Sequence, residues 1–203
     1  MAQQGPIHID APSRMLMDER DRSILFHGVN VVYKVDPFIP SNGEFDADDS
    51  LNAKDISDLK KWGMNLVRLG VMWSAVEKER GVYDDDYLDK VDALITRLGE
   101  AGIYTLVDAH QDVFARTACG EGMPNFYAQE AIGSHPHCRS YIQDKILKKF
   151  GGCKSVVHDY GYKLDTDGNP LITECQKKIF GLYYPSVESV NAFDALYDNL
   201  NGL

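Results

Sequence analysis

Three scarcities in this chain each remove a class of function. Long apolar runs are scarce: nothing in the sequence approaches the roughly 20 consecutive apolar residues a helix needs to span a bilayer, which argues against a transmembrane segment. Positive charge is scarce: 21 Lys and Arg face 31 Asp and Glu, a formal net charge of −10. A polyanion-binding surface needs clustered Lys and Arg, so no nucleic-acid partner is expected. Cysteine is absent before Cys119. The opening Met1-Ala2-Gln3-Gln4-Gly5-Pro6-Ile7 also lacks the basic start and apolar block of a secretion signal.

What remains is ordinary globular material. With 44% hydrophobic and 26% charged side chains, 203 residues can bury a real core. The four cysteines, Cys119, Cys138, Cys153 and Cys175, all fall in a loop-rich second half, where local staples are the usual use. Two disulfides are favoured over reduced thiols, with a metal site third. His135-Pro136-His137-Cys138 has a zinc-like look, but no C-x-x-C knuckle accompanies it. Neither a metal nor another cofactor is expected. Disulfides need an oxidising compartment, so a secreted, lysosomal or digestive setting is favoured although no signal peptide is visible.

Hydrophobic periodicity orders the first half of the chain. Ile7 to Asp10 and Met15 to Arg22 read as a hairpin turning at Asp18-Glu19-Arg20-Asp21. Ile24 to Val32 reads as a first inner strand. Asp48 to Lys61 follows as a surface helix with Leu51, Ile56 and Leu59 on one stripe, stopped by Gly63. Met64 to Trp73 is a second strand, apolar enough to be covered on both faces. Leu88, Val91, Leu94, Ile95 and Leu98 then recur at helical spacing between acidic Asp84 to Asp86 and Gly102. Ile103 to Val107 is a third strand. The same helix, glycine, strand device is thus used twice about 40 residues apart, as in parallel α/β architectures.

The third strand runs into Tyr104 to Arg116, where apolar residues give way to Asp108, His110 and Asp112. Polar groups at the C-terminal end of a buried parallel strand are where α/β barrels and open α/β sheets place their ligands. Beyond Asp112 the regular pattern lapses until Ser186 to Leu200, whose Val187, Val190, Phe193, Leu196 and Leu200 suggest another amphipathic helix. A connection that long tends to be functional. Its exposed-looking apolar clusters at Met123 to Tyr127 and Ile179 to Tyr184 suit a lid or lipid-facing platform, or else a disulfide-stapled insertion with its own small core.

Phe26-His-Gly-Val-Asn-Val-Val-Tyr-Lys34, Asn65-Leu-Val-Arg-Leu-Gly-Val-Met-Trp73 and Asp108-Ala-His-Gln-Asp-Val-Phe-Ala-Arg116 together resemble successive strands of glycoside hydrolase family 5. Lys34, the His110-Gln111-Asp112 triplet and Gly120-Glu-Gly-Met-Pro124 make endoglycoceramidases the nearest resemblance within it. The resemblance implies an α/β fold: the N-terminal portion, about three βα units, of a (β/α)8 TIM barrel, with a long cysteine-containing insertion after the third strand. The corresponding parts are residues 1–23 (hairpin), 24–112 (three barrel strands with helices), 113–186 (insertion) and 187–203 (third barrel helix) of an incomplete catalytic domain.

It further implies hydrolysis, with retention, of the β-glycosidic bond between an oligosaccharide and ceramide in a glycosphingolipid, presented at a membrane surface or in micelles. One glutamate would act as acid/base and another as nucleophile, at a carboxyl separation of roughly 5 Å. The family's motifs put both beyond Leu203, so the chain alone is expected to be inactive. Glu121, Glu174 and Glu188 match neither motif.

By the same resemblance Arg68 orients the nucleophilic carboxylate, a task suited to a bidentate guanidinium. His110 and Asp112 contact sugar hydroxyls, Lys34 binds the glycan, Trp73 floors a sugar subsite, and Asp108 and Asn30 support the site from behind. The plainer alternatives are a structural ion pair for Arg68, a loop-ordering cap for His110 and Asp112, a lone surface lysine, and rim packing for Trp73. A glucosylceramide or steryl β-glucosidase of the same family, or a non-catalytic truncated product, remain open.

Overall fold

The computed structural model describes residues 5–134, 146, 149 and 154–199. The described chain opens with a hairpin, β1 (His8–Asp10) against β2 (Met15–Met17), in the register His8 to Met17 and Asp10 to Met15. Its turn is made by residues 11–14, not by the acidic cluster: the Asp10 carbonyl accepts from Arg14 N at 2.8 Å and its carboxylate from Ser13 N at 2.9 Å. The cluster expected there makes a second turn. Asp18 accepts from the amides of Arg20 and Arg22, at 2.9 and 3.0 Å, and pairs with the Arg22 guanidinium at 2.6 Å.

The chain divides into two compact units, one running to Val71 and including Asp84–Ala109, the other made of Met72–Tyr83 and the residues from His110 onward. The first holds a three-stranded sheet of β3 (Gly28–Val31), β4 (Leu66–Met72) and β7 (Tyr104–His110), in that order, with β3 and β4 parallel. β3 is shorter than the apolar run suggests. Ile24 N bonds back to Leu16 O, and His27 N goes to the Asn65 side chain, so residues 24–27 are spent on the hairpin and on strand entry.

Helix α1 (Ala53–Lys61) starts five residues later than its pattern suggests because Asn52 forms a capping box with Asp55, each side chain accepting from the other's backbone amide. Asp48 to Leu51 instead wind into a turn in which Asp46 accepts from the amides of Asp48 and Asp49. Gly63, at φ +78, reverses the chain as expected. Helix α3 (Asp85–Ala101) is capped by Asp84 and closed by left-handed Gly102. It buries Tyr87, Val91, Leu94 and Leu98, while Leu88, expected on the stripe, is 38% exposed. Tyr87 takes that place, since its ring can be buried while its hydroxyl donates to Phe38 O at 3.1 Å.

Val67 and Leu69 of the central strand β4 are fully buried. β7, read from the sequence as a buried strand, is partly open: Leu106 and Val107 are each more than half exposed. It is an edge of this sheet.

The second unit begins with the single turn α2 (Trp73–Val76) and the small hairpin β5 (Glu77–Glu79) with β6 (Val82–Tyr83). The stretch expected to lack regular structure holds helix α4 (Asn125–Ser134) and the one-turn helix α5 (Ile172–Cys175). Met123 is buried and Phe126 and Tyr127 are half-buried, so Met123 to Tyr127 is core rather than surface. Met123 joins Phe114, Ala115, Ala128 and Ala192 in one apolar cluster. A second cluster of Val113, Ala118, Cys119, Val156 and Tyr183 sits beside the Cys119–Cys175 disulfide. The insertion therefore carries the small stapled core that was one of its two readings. Cys138, Cys153, His135 and His137 lie outside the described residues.

The last helix, α6 (Val187–Tyr197), buries Val187 and packs Phe193 and Leu196 against the Phe114 cluster, as its apolar spacing suggests, but differs from the expected stripe at one position. Val190 is exposed and Glu188 is buried, because the Glu188 carboxylate accepts from Ser155 Oγ at 2.5 Å and from Val156 N at 2.9 Å. Three satisfied bonds, with Val157 N at 3.3 Å as the third, offset the desolvation of a buried carboxylate. Leu200 lies outside the described residues.

Candidate functional site

In the first unit the polar residues converge on one face of the sheet. Asn30 on β3 stands in register with Arg68 on β4, and an Arg68 guanidinium nitrogen lies 2.6 Å from Asp108 Oδ2 on β7. Residues paired across a ladder point to the same side, so Asn30, Arg68 and Asp108 form a row across three strands. Asn30 is exposed, and the Arg68 and Asp108 side chains are only partly covered. Lys34, three residues past the end of β3, is exposed.

In the second unit His110 and Asp112 meet directly, with His110 Nε2 3.1 Å from Asp112 Oδ2. The segment from Gly120 to Gly122 lies against them: Asp112 and Glu121 exchange backbone bonds at 3.0 and 2.8 Å. Both glycines are required for that approach. A Cβ on Gly120 would lie 2.1 Å from Asp112 O, and one on Gly122, at φ +125, would lie 2.4 Å from Gln111 Cβ. Glu121 is thereby threaded beside the pair, and one ligand atom each of His110, Asp112 and Glu121 lie within 4.8 Å of one another.

An imidazole with two carboxylates can donate to and accept from vicinal hydroxyls. The same donor set could also hold a divalent cation. Tyr184 extends it, its hydroxyl reaching Asp112 Oδ1 at 3.5 Å. Glu121 was set aside on the sequence because it matches neither catalytic motif; its flanking glycines were the available signal.

A further cluster surrounds Trp73, which is partly buried. Its indole N–H donates to Glu77 Oε2 at 2.6 Å, and its ring lies against Tyr127 at a centroid distance of 4.9 Å. Glu77 Oε1 accepts from Gly81 N at 2.7 Å and from the Tyr127 hydroxyl at 2.8 Å. Burial raises the Glu77 pKa, but these three donors and the nearby Arg80 outweigh it and hold the carboxyl below its ordinary value. Conversely, the bond to Glu77 raises the Tyr127 phenol. Arg80 lies over the Tyr127 ring at 4.4 Å and pairs with Glu130. No sequence pattern singled out Glu77; only the fold gathers its donors.

Of the glutamates weighed as catalytic groups, Glu188 is consumed by the 155–157 segment and Glu174 pairs with Lys177 at 2.5 Å.

A family model described as Cellulase (glycosyl hydrolase family 5) matches residues 33–161. An endoglycoceramidase from Hydra vulgaris is 33% identical over 198 residues, covering 97% of this chain and 35% of that protein. A glucosylceramidase from Cryptococcus neoformans var. grubii is 43% identical over 74 residues, 36% of this chain and 10% of that one. Among solved structures, endo-glycoceramidase II from Rhodococcus sp. in a ganglioside GM3 complex superposes with a TM-score of 0.55 at 21% identity, over 91% of this chain and 34% of that one. The chain spans about a third of the length of the full-coverage relatives it matches, and the likeness in fold is to part of a barrel.

Proposed function

The chain belongs to glycosyl hydrolase family 5, and from that premise we propose that it forms the first part of an endoglycoceramidase-like enzyme. Such an enzyme cleaves the bond between an oligosaccharide and ceramide in a glycosphingolipid, with retention, through two glutamates roughly 5 Å apart. The observation that carries the reading is the 33% identity to the Hydra vulgaris endoglycoceramidase across 97% of the chain. We assign neither glutamate to this chain and expect it to turn over nothing by itself; hydrolysis by the purified chain above background would overturn that assignment.

In this reading Arg68, paired with Asp108 and flanked by Asn30, presents a guanidinium to the nucleophilic carboxylate. Such a charge favours the ionised form and fixes its direction. His110 and Asp112 hold sugar hydroxyls, with Glu121 beside them, and Lys34 contacts the glycan further out. Trp73 offers ring surface to the sugar. The lipid end meets the tip from Ile179 to Tyr184, where Ile179, Phe180, Leu182 and Tyr184 are exposed next to Lys177 and Lys178. Apolar and aromatic residues flanked by lysines suit the boundary of a bilayer or micelle. The Cys119–Cys175 bridge fits an oxidising compartment such as a secreted or lysosomal one.

A second reading, a glucosylceramidase, is favoured by the 43% identity over 74 residues to the Cryptococcus relative. Assay of an enzyme containing this chain on GM3, glucosylceramide and a steryl glucoside separates the two. Release of intact oligosaccharide from GM3 supports the endo-acting reading; glucose release from the simple glucosides alone sinks it.

A further inference from the structure

Glu77 is only 3% exposed and has no part in the proposed reaction, yet it is a buried carboxylate that accepts from three donors. The donors come from three places in the second unit: Trp73 in the turn that follows β4, Gly81 in the β5–β6 hairpin, and Tyr127 on helix α4. We propose that Glu77 is a positioning residue, which locks the Trp73 indole so that the ring meets a sugar through its carbon surface and never through its N–H. This rests on the glycoside hydrolase reading of the site.

The geometry limits what Trp73 can offer. Its N–H is committed to Glu77 at 2.6 Å, a charge-assisted length. One side of the ring is occupied by Tyr127, whose hydroxyl is tied to the same carboxylate and whose own ring lies under the Arg80 guanidinium. What is left is ring carbon on a side chain that remains partly exposed, placed directly after the end of β4, where barrel strands deliver their ligand contacts. The apolar C–H face of a hexopyranose fits such a surface, while its hydroxyls need hydrogen-bonding groups found elsewhere.

A carboxylate is the side chain this knot requires. Oε2 takes the indole, and Oε1 takes both the Gly81 amide and the Tyr127 hydroxyl. In Glu77→Gln the single amide oxygen can serve only one side of this knot. If it faces Gly81 and Tyr127, the amide NH2 opposes the indole N–H; if it faces Trp73, the NH2 opposes the Gly81 N–H. Either way a donor meets a donor at the ring or at the hairpin.

The test uses the whole chain in a Trp62→Phe background, which leaves Trp73 as its sole tryptophan, with lactose as the probe. Fluorescence anisotropy and acrylamide quenching report ring mobility, and calorimetry reports lactose binding. Expected for Glu77→Gln, with unchanged far-UV circular dichroism, are a looser and more quenchable Trp73 and lactose binding weakened about three- to tenfold, the range for a side chain that must be ordered on binding. Trp73→Phe, in wild-type background, keeps a ring but loses the N–H that anchors it, and is expected to weaken binding about three- to tenfold as Glu77→Gln does, while Trp73→Ala loses binding.

Unchanged anisotropy and quenching in Glu77→Gln overturn the positioning role whatever lactose does. A loosened ring with undiminished binding overturns its relevance to substrate. Trp73→Phe as weak as Trp73→Ala shows that ring surface is not what meets the sugar, and also overturns it, without requiring Glu77→Gln to fold. Lactose binding to none of the proteins, with Trp73 loosened by Glu77→Gln, refutes the glycan reading of the site, and the proposal falls with it.

Discussion

Replacing Cys119 and Cys175 together by alanine tests whether the insertion is stapled or merely decorated. The bridge joins residues 56 apart in sequence. Closing a loop of that size removes about 14 cal/mol/K from the unfolded chain in the loop-entropy treatment, or about 4 kcal/mol at 25 °C. Cys119 is also buried, in the cluster with Val113, Val156 and Tyr183, so losing its sulfur adds roughly 1 kcal/mol of lost packing. Urea unfolding followed by tyrosine fluorescence is the assay. With a denaturant slope of about 2 kcal/mol/M, the combined loss of about 5 kcal/mol is expected to lower the midpoint by roughly 2.5 M. Alanine replacement is preferable to a reductant, because it changes these two positions and nothing else. A midpoint shift below roughly 0.5 M would refute the claim that this bridge organises the second unit.

Three further outcomes follow from the same structure. Glu188→Ala strands Ser155 Oγ and the Val156 amide, and is expected to cost about 3 kcal/mol in thermal or urea unfolding, with Glu188→Gln costing less; equal stability of all three proteins would show that the buried carboxylate is not holding the 155–157 segment. Gly120→Ala drives a Cβ into Asp112 O, and is expected to destabilise by about 1 to 3 kcal/mol and to alter the His110 ring resonances in NMR; an unshifted His110 would mean that the Gly120 approach does not shape the cluster. Because the folded Glu77 carboxyl titrates below its ordinary value, its contribution is fully present at neutral pH and is lost as pH falls through and below the usual carboxylate range. Wild type minus Glu77→Gln stability should therefore shrink on acidification, and a difference independent of pH would contradict that assignment.

The elements most legible in the sequence were those specified by nearest neighbours. Gly63 and Gly102 stop α1 and α3 where expected, since a left-handed residue is a local requirement. The stripe Val91, Leu94, Leu98 needs only helical period, and the apolar run at β4 needs only burial. Errors arose where a distant partner competes for a residue. Asp18-Glu19-Arg20-Asp21 looks like a hairpin turn, but tertiary pairing puts that turn at residues 11–14. Leu88 fits the α3 stripe, yet Tyr87 takes the inward place because Phe38 O receives its hydroxyl.

The site divides in the same way. Sequence by itself determined the family through three strand motifs, and with it the placing of Arg68 on β4 and of Asp108, His110 and Asp112 around the end of β7, because strands and their ends follow from local pattern. Only the tertiary structure decided which polar groups share partners. Glu121 reaches His110 and Asp112 through a backbone bridge nine residues long in sequence and short in space. Glu188 is drawn inward by amides at Val156 and Val157, and Glu77 by donors at Trp73, Gly81 and Tyr127. A buried carboxylate is stable only where several donors converge on it, and convergence is a property of three-dimensional placement that periodicity along a chain does not encode.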